Sequence, residues 1–140
     1  MADINGDGTE DFIIGSTSGT SPQLFTQDTN GTFSQRSRSL YINEEDFKFE
    51  EESIVFFDLE NDGDLDLYLV SGSNQFALGD TSYYDQLLLN DGNGNFTQSK
   101  NKAPEINSSG SVVVANDFDK DGFTDLFIGG RTPYGQYPTP

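Results

Sequence analysis

The chain of 140 residues contains no cysteine, no histidine and no tryptophan. Without cysteine it can form neither disulfide bonds nor a thiolate nucleophile. Without histidine it lacks the commonest general base and the commonest transition-metal ligand, which excludes catalytic sites that pair serine or cysteine with histidine. It also has no continuous apolar run of the length that a membrane-spanning helix needs, so we expect no membrane insertion.

Positively charged side chains are scarce. The chain has 7 Lys and Arg residues against 24 Asp and Glu residues, which gives a net charge of -17. This excess of negative charge repels phosphate groups, so nucleic acid is not an expected partner. It also opposes a compact fold through self-repulsion unless cations neutralise part of it.

Hydrophobic residues make up only 33% of the chain, a fraction low enough to raise the question of disorder. The 12 Phe and 6 Tyr residues argue against disorder, and the apolar residues are gathered in short clusters. These clusters are residues 13–14, 54–57, 67–70, 87–89, 112–114 and 126–128. They are rich in β-branched and aromatic residues and are bounded by Gly, Asn and Asp, which is typical of short buried strands in an all-β protein.

An acidic segment of nine residues occurs three times without gaps, at Asp3–Asp11, Asp58–Asp66 and Asp117–Asp125. All three segments follow the pattern Asp-x-(Asn/Glu/Asp)-x-Asp-Gly-x-x-Asp and run directly into an apolar cluster. Their first residues lie 55 and 59 positions apart. We call these segments the first, second and third acidic loops and number their positions from 1 to 9.

A second element repeats between the acidic loops. An apolar strand that begins at Gln23 or Gln86 leads into an Asn-Gly turn, and the next strand begins with Phe33 or Phe96. An Asn-Gly pair between apolar strands is a strong β-hairpin signal. One period therefore predicts four short antiparallel strands, which is the composition of one β-propeller blade.

We therefore predict a single all-β domain over residues 1–140, a partial β-propeller of four-stranded antiparallel blades. Residues 1–43 would form a partial blade, residues 53–100 a complete blade and residues 110–140 a second partial blade, or about two and a quarter blades in total. The expected strands are grouped as three, four and two. Because an incomplete propeller leaves open blade edges, we expect either a homo-oligomer or a piece of a longer propeller chain.

The acidic loops offer the oxygen ligands that calcium prefers. Calcium takes roughly six to eight oxygen atoms at about 2.3–2.6 Å, and positions 1, 3, 5 and 9 all carry oxygen-bearing side chains. Gly at position 6 permits the positive φ that lets the chain wrap an ion, and position 7 would offer its backbone carbonyl. The predicted ligands are Asp3, Asn5, Asp7, Thr9 and Asp11 in the first loop, Asp58, Glu60, Asp62, Asp64 and Asp66 in the second, and Asp117, Asp119, Asp121, Phe123 and Asp125 in the third. We thus expect calcium-binding hairpin loops that hold up to three calcium ions per chain.

Two other interpretations of the acidic loops compete with this one. An EF-hand would need a bidentate Glu at position 12 and flanking helices, but Ile14, Leu69 and Ile128 occupy that position. Simple Asx and Gly turns would need no metal. Three aligned copies favour the metal, because an apolar hairpin would make the same turn without the repulsion among the four carboxylates of the third loop.

The acidic loops and the Asn-Gly hairpins resemble the FG-GAP/VCBS repeat family, whose calcium-loop blades are shared with the integrin α-subunit propeller. Residues 58–72 and 86–96 are especially similar to bacterial VCBS and ASPIC/UnbV-associated repeats, and residues 129–138 resemble the stretch after the calcium loop in that group. The resemblance covers nearly the whole chain. It implies a calcium-carrying propeller in a secreted, periplasmic or cell-surface protein, used for adhesion or for binding a protein or carbohydrate.

The predicted function is a calcium-binding extracellular β-propeller module for adhesion or for protein or carbohydrate binding, in which calcium is structural and the chain is not an enzyme. The alternative is a catalytic or non-catalytic propeller piece of a larger secreted enzyme that acts on polysaccharide. An acid and a base left together in a pocket after the metal ligands are set aside would favour this alternative. Tyr83, Tyr84, Tyr134 and Tyr137 could form a surface that stacks sugars, but we expect them to pack within the blades.

Overall fold

A computed structural model describes residues 1–37, 40, 48–99, 103–106 and 108–131. The strands in these ranges are β1 (Phe12–Ile14), β2 (Gln23–Gln27), β3 (Phe33–Gln35), β4 (Glu51–Phe57), β5 (Asp66–Ser71), β6 (Gln86–Asn90), β7 (Phe96–Gln98), β8 (Gly110–Asn116) and β9 (Asp125–Gly130). A short 3-10 turn spans Thr81–Tyr83. The described ranges hold no helix long and apolar enough to cross a membrane. The prediction of an all-β chain is confirmed, while the predicted tail after residue 131 and residues 41–43 lie outside the described residues.

The strands form three antiparallel sheets, and each sheet consists of strands that are consecutive in sequence. The first sheet has the order β1-β2-β3, the second β4-β5-β6-β7 and the third β8-β9, which is the predicted grouping. The two Asn-Gly turns join β2 to β3 and β6 to β7. Their glycines, Gly31 and Gly94, have φ angles of 83° and 72°, in the left-handed region that such a turn requires.

The second sheet packs between the other two. Every residue of β5 is buried, which explains why residues 67–70 are apolar without the alternation of a half-exposed strand. Because side chains alternate along a strand, Leu67 and Leu69 join a core cluster with residues of the first repeat. Tyr68 and Val70 lie on the opposite face and pack with Val113 of the third sheet.

The second and third sheets are in close contact at two glycines. A Cβ atom added at Gly110 would overlap Val70 Cγ1, and one added at Gly72 would overlap the Gly110 carbonyl oxygen. An ion pair between Arg131 and Glu52 also joins these sheets. The backbones can therefore come together only where no side chain intervenes.

Candidate metal centre

The three acidic loops occupy equivalent places in the fold. The second loop joins β4 to β5 and the third joins β8 to β9, while the first precedes β1 and is closed by a bridge between Ala2 and Asp11. In the first repeat, Thr9 Oγ1 donates a hydrogen bond to the Gln27 carbonyl oxygen at 2.8 Å, at the end of β2. Each of the first two loops therefore lies at the same end of its sheet as the Asn-Gly turn.

The carboxylate at position 1 organises each loop. Asp3, Asp58 and Asp117 each accept hydrogen bonds from the backbone N–H groups at positions 5 and 6, with N–O distances between 2.8 and 3.2 Å. These bonds curl the chain around the carboxylate. Because an ionised carboxylate has about four lone-pair sites, each one keeps the capacity to contact a cation as well.

The carboxylate at position 5 fixes the far side of each loop. Asp7, Asp62 and Asp121 accept the backbone N–H of position 7 at 2.8, 3.1 and 2.9 Å. In the first loop position 7 is Thr9, whose hydroxyl also donates to Asp7, and hydrogen bonds from the Thr9 hydroxyl and backbone N–H lower the pKa of Asp7. Phe123 at position 7 of the third loop has no oxygen in its side chain, so any ligand atom it supplied would be its backbone carbonyl oxygen.

Two positions in each loop have a left-handed backbone, and sequence reasoning identified only one of them. The predicted one is position 6, where φ is 85° at Gly8, 92° at Gly63 and 94° at Gly122. The other is position 4, where φ is 72° at Gly6, 56° at Asn61 and 64° at Lys120. Gly and Asn at position 4 were the available signal, because these residues adopt this conformation most readily. Lysine in the third loop carries no such signal.

The carboxylate at position 9 links its loop to the neighbouring hairpin. Asp66 is 3% exposed, and it accepts hydrogen bonds from Leu59 N at 3.1 Å and from Asn90 N at 2.9 Å. Burial raises the pKa of Asp66. Asp11 makes the equivalent bond to Gln27 N at 2.9 Å. The sequence predicted that position 9 closes a metal site. It did not indicate that the same carboxylate also accepts a hydrogen bond from the backbone of the next strand.

The third loop brings its carboxylates closest together. Oxygen atoms of Asp117, Asp119 and Asp125 all lie within 4.8 Å of one another, and no other group in the described residues does the same. Asp121 is not part of this trio. In the other two loops position 3 is Asn5 or Glu60, so no third Asp joins positions 1 and 9 there.

The geometry of this trio, Asp117, Asp119 and Asp125, suits a hard cation. Two oxygens bound to one calcium ion are separated by at most about 5 Å, twice the usual calcium–oxygen distance. The trio satisfies this limit. Its donors are all oxygen, without the nitrogen or sulfur ligands that favour zinc or copper. The three residues of the trio therefore fit calcium, while the other two predicted ligands of this loop, Asp121 and Phe123, are not part of it.

A cavity of about 240 Å³ lies at the opposite end of the second sheet. Its lining includes Lys48, Glu105 and Asp85, the residue just before β6. Asp85 is buried, and its carboxylate accepts hydrogen bonds from Ser71 N at 2.8 Å and from the Tyr68 hydroxyl at 2.9 Å. Burial raises the pKa of Asp85 to about 6. No sequence pattern singled out Asp85, because its partners lie in a different strand.

Of the four tyrosines that could form a sugar-stacking surface, Tyr83 and Tyr84 are described, and Tyr84 is half-buried and lines the cavity. Tyr83 is 2% exposed, and its hydroxyl donates a hydrogen bond to the Phe76 carbonyl oxygen at 2.6 Å. Tyr83 therefore packs within the fold, as expected. Tyr134 and Tyr137 lie outside the described residues.

Comparison with protein families identifies the repeat. The model of the FG-GAP-like repeat matches residues 3–69 and 58–128. Both matches begin at the first Asp of an acidic loop and end in the strand after the next loop, so the matched unit has the frame seen in the sequence and the fold. Together they cover most of the chain, which belongs to the FG-GAP-like repeat family. No curated protein matches it.

Proposed function

We propose that this chain is a calcium-stabilised β-propeller module that binds a protein or carbohydrate ligand outside the cell. Each sheet would be one blade or part of a blade, and each acidic loop a calcium site between two strands of a blade. The observation that carries this proposal is the trio of Asp117, Asp119 and Asp125, whose oxygens lie within 4.8 Å of one another in a chain of net charge -17.

The acidic loops explain what a cation would do. The first and second loops each place a position-9 carboxylate on the backbone of the hairpin that follows, through Gln27 N and Asn90 N. Bound calcium would neutralise the clustered carboxylates and so let the loop and its two strands stay together. Extracellular fluid contains millimolar calcium, which is enough for sites of modest affinity. Calcium would therefore have a structural rather than a catalytic role.

Calcium is expected to raise the thermal stability of the chain. A cation that binds only the folded state adds about 2.7 kcal/mol per site at a concentration of 100 times its dissociation constant. For a domain of this size we expect a rise of roughly 10 °C in melting temperature per occupied site. Melting curves recorded by circular dichroism with calcium and with a chelator will measure this rise. A chelated sample that melts at the same temperature would contradict the proposal.

Changing Asp119 to Asn is expected to weaken the third site about tenfold, because it replaces a carboxylate with the neutral amide found at position 3 of the first loop. Isothermal titration calorimetry with calcium measures the affinity. Glu10→Gln is the matched control, because it makes the same chemical change at an exposed, non-ligand position of an acidic loop. Equal calcium affinities for Asp119→Asn and the unmodified chain would assign the ion to other residues.

The cavity at the end of the second sheet favours the enzymatic alternative, because two carboxyl groups that are not predicted metal ligands line it: Asp85, which is buried and has a raised pKa, and the exposed Glu105. However, both oxygens of Asp85 already accept hydrogen bonds, one from Ser71 N and the other from the Tyr68 hydroxyl, so this carboxylate holds the start of β6 against β5. We therefore propose that Asp85 positions β5 and β6 and that the module is a non-catalytic binding unit.

A further inference from the structure

The outer face of the first sheet is apolar, and no other sheet of the described residues packs against it. Phe12 stacks on Phe25 with 4.7 Å between ring centroids, and Phe33 meets Phe12 edge-on at 4.9 Å. Ile14 lies two residues along β1 from Phe12 and therefore on the same face; it is 51% exposed, and Phe33 is 39% exposed. We call these four residues the leading face.

The outer face of the third sheet is apolar as well, and within the described ranges no sheet packs against it. Val112, Val114 and Phe127 are 44%, 47% and 62% exposed. Val112 and Val114 alternate with Val113, which is buried against the second sheet, and Phe127 pairs with Val114 across the sheet. We call these three residues the trailing face.

The repeat shows what the leading face is built to contact. Counted from the acidic loop, Phe12 and Ile14 are equivalent to Leu67 and Leu69 of the second sheet. Leu67 and Leu69 are 0% exposed, because they are covered by the inner face of the first sheet. Each of these positions thus serves to bind the preceding sheet.

The repeat also shows what the trailing face is built to contact. Counted in the same way, Val114 and Phe127 are equivalent to Val55 and Tyr68 of the second sheet. In the second sheet these positions pack against the third, and Tyr68 is 1% exposed. The trailing face is thus the face that binds a following sheet.

We propose that the trailing face of one copy of this chain covers the leading face of a second copy. The contact continues the stacking already seen between the first and second sheets and between the second and third. It joins two different faces, so the association is head-to-tail and either closes into a ring or extends from copy to copy. The net charge of -17 opposes it, so assembly requires salt or calcium to screen the repulsion.

The test measures the mass of the whole chain by sedimentation and light scattering in millimolar calcium. Unmodified protein is expected to form multiples of 15.4 kDa. Ile14→Asp removes the leading face and Phe127→Asp removes the trailing face, so each variant alone is expected to be monomeric. A mixture of the two keeps one intact face on each variant and is expected to give a one-to-one dimer.

Leu78→Asp is the matched control, because Leu78 is 61% exposed, lies in the connection between β5 and β6 rather than in the first or third sheet, and undergoes the same change in charge. It is expected to assemble like the unmodified chain. Circular dichroism checks that the variants fold, and Ile14→Lys with Phe127→Lys replaces the first pair if either does not.

Three results would overturn the proposal of head-to-tail assembly. The first is unmodified protein that remains at 15.4 kDa at every concentration. The second is a Phe127→Asp variant that still dimerises, which would mean that the leading face pairs with itself. The third is a mixture of the two folded variants that stays monomeric.

Discussion

Replacing Leu69 with alanine is expected to lower the free energy of unfolding by about 3–5 kcal/mol, the range for leucine truncation in a close-packed core. Leu69 is 0% exposed and lies in the cluster that joins the first sheet to the second. Truncation of its side chain leaves a cavity between two packed sheets, and the surrounding residues can fill that cavity only in part. Urea denaturation at saturating calcium, followed by circular dichroism, measures the loss.

Ile14 provides the control for Leu69, because it holds the equivalent place after the first acidic loop and is 51% exposed. Ile14→Ala is expected to cost less than about 1 kcal/mol when measured at a concentration where the chain is monomeric. Similar losses for both variants would mean that the first and second sheets are not stacked as described.

Replacing Asp85 with asparagine is expected to stabilise the chain at neutral pH by roughly 3 kcal/mol. Burial raises the pKa of Asp85 from 3.8 to about 6 in the folded state. Ionised Asp85 therefore destabilises the fold above that pH. Asparagine resembles the protonated acid: its oxygen can accept from Ser71 N, and its amide can donate to the Tyr68 hydroxyl.

The effect of Asp85→Asn is expected to depend on pH in one direction. The folded state holds its proton more tightly than the unfolded state does, so the contribution of Asp85 to stability is fully present below pH 3.8 and is lost as pH rises through about 6. The two proteins should therefore be equally stable near pH 4, and the variant should be more stable at pH 7. Chemical denaturation at a series of pH values measures the difference in free energy of unfolding between the two proteins. The other carboxylates titrate in both proteins, so their contributions cancel in this difference.

Glu105→Gln supplies the comparison for Asp85→Asn, because Glu105 lines the same cavity but is exposed. It is expected to change stability by less than about 0.5 kcal/mol at any pH. A gain for Asp85→Asn that is the same at pH 4 and pH 7 would show that packing, rather than the buried charge, is responsible.

The repeat frame could be read from the sequence because three signals coincide in each copy. The acidic loop, the apolar cluster and the Asn-Gly turn recur at matching offsets, so an error in one would have conflicted with the others. The strand grouping and the left-handed glycines at position 6, such as Gly122, followed from that frame. These features are local, and local features leave a pattern along the chain.

The contacts between elements could not be predicted in this way. Lys120 adopts a left-handed φ of 64° because the loop around it demands this conformation, whereas lysine itself does not favour it. The bond from Asn90 N to Asp66 and the bond from the Tyr68 hydroxyl to Asp85 join residues 24 and 17 positions apart. Such pairs depend on the register between neighbouring strands, which no single sequence motif specifies.

The glycine contact between the second and third sheets sets unequal limits on how the chain can diverge. Where the first sheet meets the second, large side chains such as Leu24 and Leu88 fill the space, and one apolar residue can replace another if a neighbour changes in compensation. At Gly72 and Gly110 the space is filled by backbone and by Val70, so even a methyl group has no room. Substitutions should therefore accumulate where the first sheet meets the second, and they should be selected against at Gly72 and Gly110, where the second sheet meets the third.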